Sequence, residues 1–68
     1  MANSKIHVAL VITELNPGGA EKALTALACG LDRREFDPVV YSLRSRSFHS
    51  NSILIDKLEA NGITVEFL

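Results

Sequence analysis

The sequence predicts an α/β fold in which three parallel strands alternate with two helices. Apolar, β-branched runs at residues 6–13, 39–43 and 63–68 predict the strands, and helical spacing between them predicts the helices. Short connections between alternating strands and helices imply parallel strands joined by right-handed crossovers. We therefore predict a partial Rossmann-like unit with the strand order 3-2-1, which is half of a doubly wound sheet.

The first predicted strand, residues 6–13, is apolar at both alternating sets of positions. This pattern is typical of a strand that helices cover on both faces, so we expect His7 to be a packed core histidine. The order 3-2-1 leaves this strand at one edge. We therefore expect a missing fourth strand, and self-association through the exposed edge of strand 1 where that neighbour is absent.

The first predicted helix follows an abrupt break at Asn16, Pro17, Gly18 and Gly19. Glu21 in its first turn and Arg33 and Arg34 near its last turn suit the helix dipole. Cys29 flanks the apolar stripe and is expected to be a small packing residue. The predicted stripe consists of Ala20, Ala23, Leu24, Leu27, Ala28 and Leu31.

The second half of the chain repeats the alternation of strand and helix. Pro38 is expected at the start of strand 2, because proline cannot donate to a sheet ladder. Residues 44–52 are polar and serine-rich and predict an exposed loop, in which His49 is expected to be solvated.

Ser52 is a predicted N-cap for helix 2. Gly62 is expected to end this helix in the left-handed conformation, just before the third strand. The side chains predicted to point inward from helix 2 are Leu54, Ile55 and Leu58.

Size and composition restrict the class of protein. The 68 residues form at most one small domain, and a chain of this length buries only about 60% of its unfolded surface. With 47% hydrophobic residues and a single cysteine, the chain suits a buried sheet without a disulfide framework. The interspersed charge, −1 in total, argues against nucleic-acid binding or a polybasic membrane patch. We expect residues 1–68 to be the incomplete start of a larger cytoplasmic domain without a transmembrane segment.

The Gly18-Gly19 turn is the main candidate for a binding site. Glycines there permit positive φ and close approach of a ligand, and the first N–H groups of the helix could receive a diphosphate. A simple tight turn is the competing interpretation. Glu14 and Asn16 lie at the carboxyl end of strand 1, where α/β sheets bind ligands, and they either contact an acceptor or shape the loop. Glu21 is either a further loop contact or an electrostatic stabiliser of the helix start.

Other glycine motifs fit less well. A dinucleotide fingerprint needs a third glycine, and a P-loop needs Lys followed by Ser or Thr, whereas Lys22 precedes Ala23. Arg44 and Arg46 could contact a 2′-phosphate, although a solvated loop is favoured. An NADP-dependent reductase fragment and a ligand-free α/β fragment therefore stay as alternatives. The residues offer no metal-ligand spacing and no catalytic triad, so we predict neither a metal nor a catalytic residue.

The chain resembles the opening of the family 4 (group 1) glycosyltransferases, which are retaining enzymes of the GT-B fold. Beyond the turn itself, the resemblance includes Leu58-Glu59-Ala60-Asn61-Gly62-Ile63-Thr64-Val65 as a helix end and third strand, and it covers almost the whole chain. The other matching residues are Val11-Ile12-Thr13, Leu15, Gly18-Gly19-Ala20-Glu21, Leu24, Leu27-Ala28 and Phe36-Asp37-Pro38-Val39-Val40.

This resemblance implies a sugar transferase in which the Gly18-Gly19 turn faces the diphosphate of a nucleotide-sugar donor. It implies a hydroxyl acceptor, no cofactor, and a complete enzyme in the cytoplasm or at the membrane periphery. The sequence departs from the family at Arg34-Glu35-Phe36, where many members have Arg-Gly-His. The family's C-terminal donor domain, with its paired glutamates, has no counterpart in these 68 residues, so we expect the chain alone to be inactive.

Overall fold

The computed structural model describes residues 4–68 and shows an α/β fold with an open, three-stranded parallel sheet. The sheet order β1-β2-β3 confirms the predicted order. The elements in chain order are β1 (Ile6–Ile12), α1 (Gly19–Gly30), β2 (Phe36–Ser42), α2 (Ile53–Ala60) and β3 (Thr64–Phe67), with a 3-10 turn at Arg46–Phe48.

Both helices pack on the same face of the sheet. The two crossovers step across the sheet in one direction, and right-handed connections then place their helices on a common side. The core between helices and sheet is apolar. Its buried members are Leu15, Ala28, Val40, Ile55, Leu58 and Ile63, and Leu10, Ile12, Leu24, Cys29, Val65 and Phe67 pack against them.

The opposite face of the sheet is uncovered in the part of the chain that is described. Val11, on this face of β1, is 61% exposed. The prediction that helices cover β1 on both faces is therefore wrong for this chain. The prediction of a core His7 is also wrong, because its side chain is 82% exposed and its Nδ1 lies 3.3 Å from Oδ2 of Asp37.

β1 is an edge strand that pairs with β2 alone among residues 4–68. The N–H of Ile6 donates to the Glu35 carbonyl, and the Ile12 carbonyl accepts from Leu43, so the even-numbered residues of β1 bond to β2. The backbone groups of the odd-numbered residues, 7, 9 and 11, consequently point away from the sheet. They form the edge through which self-association is predicted.

Pro38 is the third residue of β2 rather than its start, because the strand begins at Phe36. The N–H of Leu43 donates to β1, so odd-numbered residues of β2 face β1 and the nitrogen of Pro38 faces β3. The β3 ladder begins only at Val39, paired with Thr64. No donor is needed at residue 38, which explains how a central strand accommodates a proline.

The buried side of α1 differs from the predicted stripe. Thr25 and Ala28 are buried, whereas Leu27 is 55% exposed; Ala20 and Ala23 are also exposed. The core-facing side is therefore rotated towards Thr25 and Cys29, and the packing role predicted for Cys29 is confirmed.

α1 ends at Gly30, so Arg33 and Arg34 lie beyond its last turn, contrary to the prediction. The side chain of Arg34 instead bonds to the exposed carboxylate of Asp32, with its backbone N–H as a second donor. These bonds hold the pKa of Asp32 below its ordinary value of 3.8.

α2 agrees with the prediction at its core side and at its end. Leu54, Ile55 and Leu58 are buried, and Gly62 has a φ of 73°. Its N–H donates to the Glu59 carbonyl and the Ile63 N–H to the Leu58 carbonyl, so the helix end is capped. At the start, Ser52 occupies the N-cap position, but the side chain that accepts the Ile53 N–H is that of Asn51, at 3.0 Å.

Candidate functional site

Two loops meet at the carboxyl edge of the sheet. The β1–α1 loop (residues 13–18) and the β2–α2 loop (residues 43–52) follow neighbouring parallel strands, so both leave the sheet at the same edge. The Arg44 N–H donates to the Thr13 carbonyl at 3.0 Å and continues the ladder into the loops. Open α/β sheets bind ligands at this edge.

The two glycines of the turn have ordinary backbone conformations. Gly18 is extended, with φ −158° and ψ 179°, and Gly19 is the first residue of α1. Among residues 4–68 only Gly62 has a positive φ. Neither glycine of the turn therefore uses the positive φ that glycine permits. The two positions differ in their surroundings, because nothing lies within 4 Å of the position that a Cβ of Gly19 would occupy, whereas a Cβ on Gly18 would meet Glu21.

The first turn of α1 presents backbone donors. Its first intrahelical bond runs from the Lys22 N–H to the Gly18 carbonyl at 2.9 Å, and no side chain caps the helix. The preceding N–H groups, those of Gly19, Ala20 and Glu21, have no acceptor within the helix. They lie at the positive end of the dipole of a 12-residue helix and are suited to bind an anion.

The Glu21 side chain folds back towards Gly18, the residue before α1. A Cβ added to Gly18 would lie 2.5 Å from Oε1 of Glu21, so the carboxylate rests against the Gly18 backbone. Glu21 is the third helical residue, a position where a carboxylate is favourable to the dipole. A bound diphosphate and the Glu21 carboxylate would thus compete for the same positive helix end.

Glu14 and Asn16 form hydrogen bonds within and between the two loops. Oε1 of Glu14 accepts the Asn16 N–H, and Oδ1 of Asn16 accepts the Asn51 N–H at 3.3 Å. Leu15 between them is fully buried in the core. Both polar side chains therefore shape the loop in this structure, and acceptor contacts by them stay a prediction.

His49 connects the two loops, and the expectation that it is solvated is wrong. The half-buried ring accepts the Leu15 N–H at Nε2, at 2.7 Å, and its Nδ1 lies 3.0 Å from the Ser45 carbonyl oxygen. The serine-rich composition of residues 44–52 predicted an exposed loop and gave no indication of this role. The signal that could have revealed it is position, since residues that follow β2 and residues that follow β1 must share one sheet edge.

Arg44 and Arg46 pack on aromatic rings of the same region. The Arg44 guanidinium lies 4.7 Å from the Phe48 ring centroid, and that of Arg46 lies 4.7 Å from the Phe67 centroid. Arg46 also pairs with the Glu59 carboxylate of α2. Arg46 is thus already bound to a carboxylate, which disfavours its use for a ribose 2′-phosphate.

In the described residues no group of His, Cys, Asp and Glu side chains is arranged to hold a metal ion. Likewise, residues 4–68 contain no helix long and apolar enough to cross a membrane. No protein-family model, curated protein or solved structure matches this chain.

Proposed function

We propose that this chain is the opening segment of a nucleotide-sugar glycosyltransferase and that its Gly18-Gly19 turn faces the donor diphosphate. The observation that carries the proposal is the uncapped start of α1 at the carboxyl edge of a parallel sheet. The space next to Gly19 is open there, with nothing within 4 Å of a Cβ position. The resemblance of residues 11–65 to family 4 glycosyltransferases supplies the reaction class. The hydroxyl acceptor and the rest of the donor site belong to the complete enzyme.

The contribution of the turn would be electrostatic. When a retaining transfer breaks the sugar–phosphate bond, negative charge grows on the leaving diphosphate. The N–H groups of Gly19 and Ala20 would stabilise that charge, a kind of effect worth about 2.7–4 kcal/mol per donor in a pre-organised site. No side chain of the turn is assigned a catalytic role.

The Glu21 carboxylate makes the proposal directly testable. Its position against Gly18 means that an anion must displace it or bind beside it at a cost. Replacing it with the neutral isostere should therefore strengthen anion binding. A charge at a helix start contributes about 0.3–1 kcal/mol, which corresponds to roughly a 2- to 5-fold change in affinity.

The experiment is an NMR titration of the ¹⁵N-labelled 68-residue chain with inorganic pyrophosphate, and then with UDP-glucose and NADPH. We expect shifts at the Gly18, Gly19 and Ala20 amides, tighter binding by Glu21→Gln, and larger shifts with UDP-glucose than with NADPH. Glu66→Gln, an exposed charge change on β3, is the matched control.

The absence of chemical-shift changes at the amides of the turn would contradict a diphosphate site at α1. Equal increases in anion affinity for Glu21→Gln and Glu66→Gln would also contradict it. Shifts confined to NADPH and centred on Arg44 would favour the reductase alternative. Absence of any binding would leave the ligand-free α/β fragment. In all cases we expect no sugar transfer by the isolated chain, which can be checked with a radiolabelled donor.

A further inference from the structure

We propose that His49 is a positioning residue whose neutral imidazole fastens the β1–α1 loop to the β2–α2 loop, and that its protonation releases this contact. The inference stands on the geometry of the ring. Its relevance to donor binding, through the position of the turn that follows Leu15, rests on the proposed function.

The two hydrogen bonds of the ring define one tautomer. The Ser45 carbonyl oxygen can only accept, so the nitrogen 3.0 Å away, Nδ1, must carry a proton. The Leu15 N–H can only donate, so Nε2 at 2.7 Å must present its lone pair. In the neutral ring Nδ1 is therefore a hydrogen-bond donor and Nε2 is an acceptor.

Protonation removes the acceptor from this arrangement. In the imidazolium both nitrogens donate, and an Nε2–H would face the Leu15 N–H across 2.7 Å. The two donors must move apart, whereas the Nδ1 bond to Ser45 can persist. The ring would remain attached to its own loop and lose the neighbouring one.

The ring is held in place by aromatic contacts as well as by its hydrogen bonds. Phe48 and Phe67 meet it edge-on, each with a centroid separation of 5.8 Å. His49 is therefore anchored to the β2–α2 loop and to β3. The Leu15 bond is its contact with the β1–α1 loop, where a second link, from Asn51 to Asn16, lies beside it.

The loops and strands that contact the ring, and the neighbouring helix α2, also carry charged residues. Glu14 lies in the β1–α1 loop next to Leu15, and Glu59 projects from α2 onto Arg46. Arg44 and Arg46 cover the two phenylalanine rings. On β3, Glu66 alternates with Phe67 and belongs to the open face of the sheet.

Release of the Leu15 N–H would loosen the entry to the glycine turn. Leu15 is fully buried and lies three residues before Gly18. With its backbone bond lost, the side chain still anchors the loop, so the expected change is local.

The test follows His49 and Leu15 by NMR in the full 68-residue chain between about pH 5 and 8. We expect the Leu15 amide shift to move with the same midpoint as the His49 ring nitrogens. The Leu15 amide exchange rate, corrected for its intrinsic pH dependence, should rise roughly 2- to 10-fold on protonation, as expected for loss of one hydrogen bond. A Leu15 amide that ignores the His49 titration overturns the proposal.

The chain supplies a matched control, because His7 is its other histidine. His7→Gln should leave the Leu15 transition unchanged. His49→Gln should abolish it while keeping a loop contact, since the glutamine oxygen can accept the Leu15 N–H and does not titrate. A transition that survives in His49→Gln, or disappears in His7→Gln, overturns the proposal. If His49→Gln fails to fold, the titrations of the unmodified chain and of His7→Gln still test whether the Leu15 amide follows His49.

Pyrophosphate added at the two ends of the pH range separates this inference from the proposed function. A coupled Leu15 transition with no response of the Gly18–Ala20 amides would support the contact and contradict the diphosphate site. A pyrophosphate response of the Gly18–Ala20 amides without a coupled Leu15 transition would support the diphosphate site and contradict the proposed role of His49.

Discussion

The two helices of this fold differ in how much of their surface is buried and in how their ends are capped. α2 buries one side, with Ile55 and Leu58 fully enclosed, and its C-terminal end is closed by Gly62. α1 buries Thr25 and Ala28, leaves Leu27 exposed, and has an uncapped start. The difference shows that α2 contributes more large buried side chains to the core than α1 does. Stability is therefore expected to depend on α2, and function on α1.

The largest predicted effect concerns the leucines of the two helices. Leu58→Ala should lower the free energy of unfolding by about 2–5 kcal/mol, because it empties a fully buried site. Leu27→Ala should change it by less than about 0.5 kcal/mol, because this side chain is mostly exposed. Urea denaturation followed by circular dichroism measures both. A large loss for Leu27→Ala would show that the outer side of α1 is covered in solution, and the comparison of helices would fail.

A smaller effect is expected at the glycines that follow or end the helices. Gly62→Ala should cost about 1–2 kcal/mol, because alanine is strained at a φ of 73°. Gly30→Ala is the control in α1: its φ is not positive, a Cβ there would meet no atom within 4 Å, and alanine favours a helix. We expect Gly30→Ala to be neutral or slightly stabilising in the same denaturation assay. Equal losses in both variants would mean that the end of α2 is not the more constrained one.

The smallest effect is a gain. Thr25 is buried, and its hydroxyl has no hydrogen-bond partner within the described part of the chain. Thr25→Val keeps the shape and removes this group, so we expect unfolding to become about 1 kcal/mol less favourable. Thr25→Ser keeps the hydroxyl, loses a methyl group and should destabilise. If Thr25→Val also destabilises, the hydroxyl has a partner in solution and α1 is better satisfied than its contacts suggest.

The contrast between the helices also explains which parts of the fold were predictable. In α2 the apolar residues Leu54, Ile55 and Leu58 lie on one side only, so periodicity identified the buried side. α1 is rich in alanine and carries two overlapping apolar strips, one through Leu27 and one through Ala28. Hydrophobic spacing does not distinguish such strips, and in the structure the side through Thr25 and Ala28 is the buried one.

The coverage of β1 was predictable in principle from topology. Its two apolar faces suggested helices on both, yet the predicted order 3-2-1 with right-handed crossovers already requires both helices on one side. The two expectations conflict, and topology prevails. Val11 is exposed for this reason.

The site was predictable in part. Glycines after β1 identified the start of α1, but an extended Gly18 and the folded-back Glu21 depend on atomic packing that the motif does not specify. His49 is distant in sequence from Leu15, and composition alone placed it in solvent. The hydrogen bond between Leu15 and His49 forms because β1 pairs with β2 and brings the two loops to the same sheet edge.

Pro38 also has a consequence for folding fidelity. If β3 slid by two residues towards the start of β2, its ladder would require a donor at residue 38, and proline has none. A slide by one residue would turn Val65 and Phe67 to the open face and lose their core contacts. The proline therefore disfavours a two-residue slide of β3 towards the start of β2, and the core contacts of Val65 and Phe67 disfavour a slide by one residue.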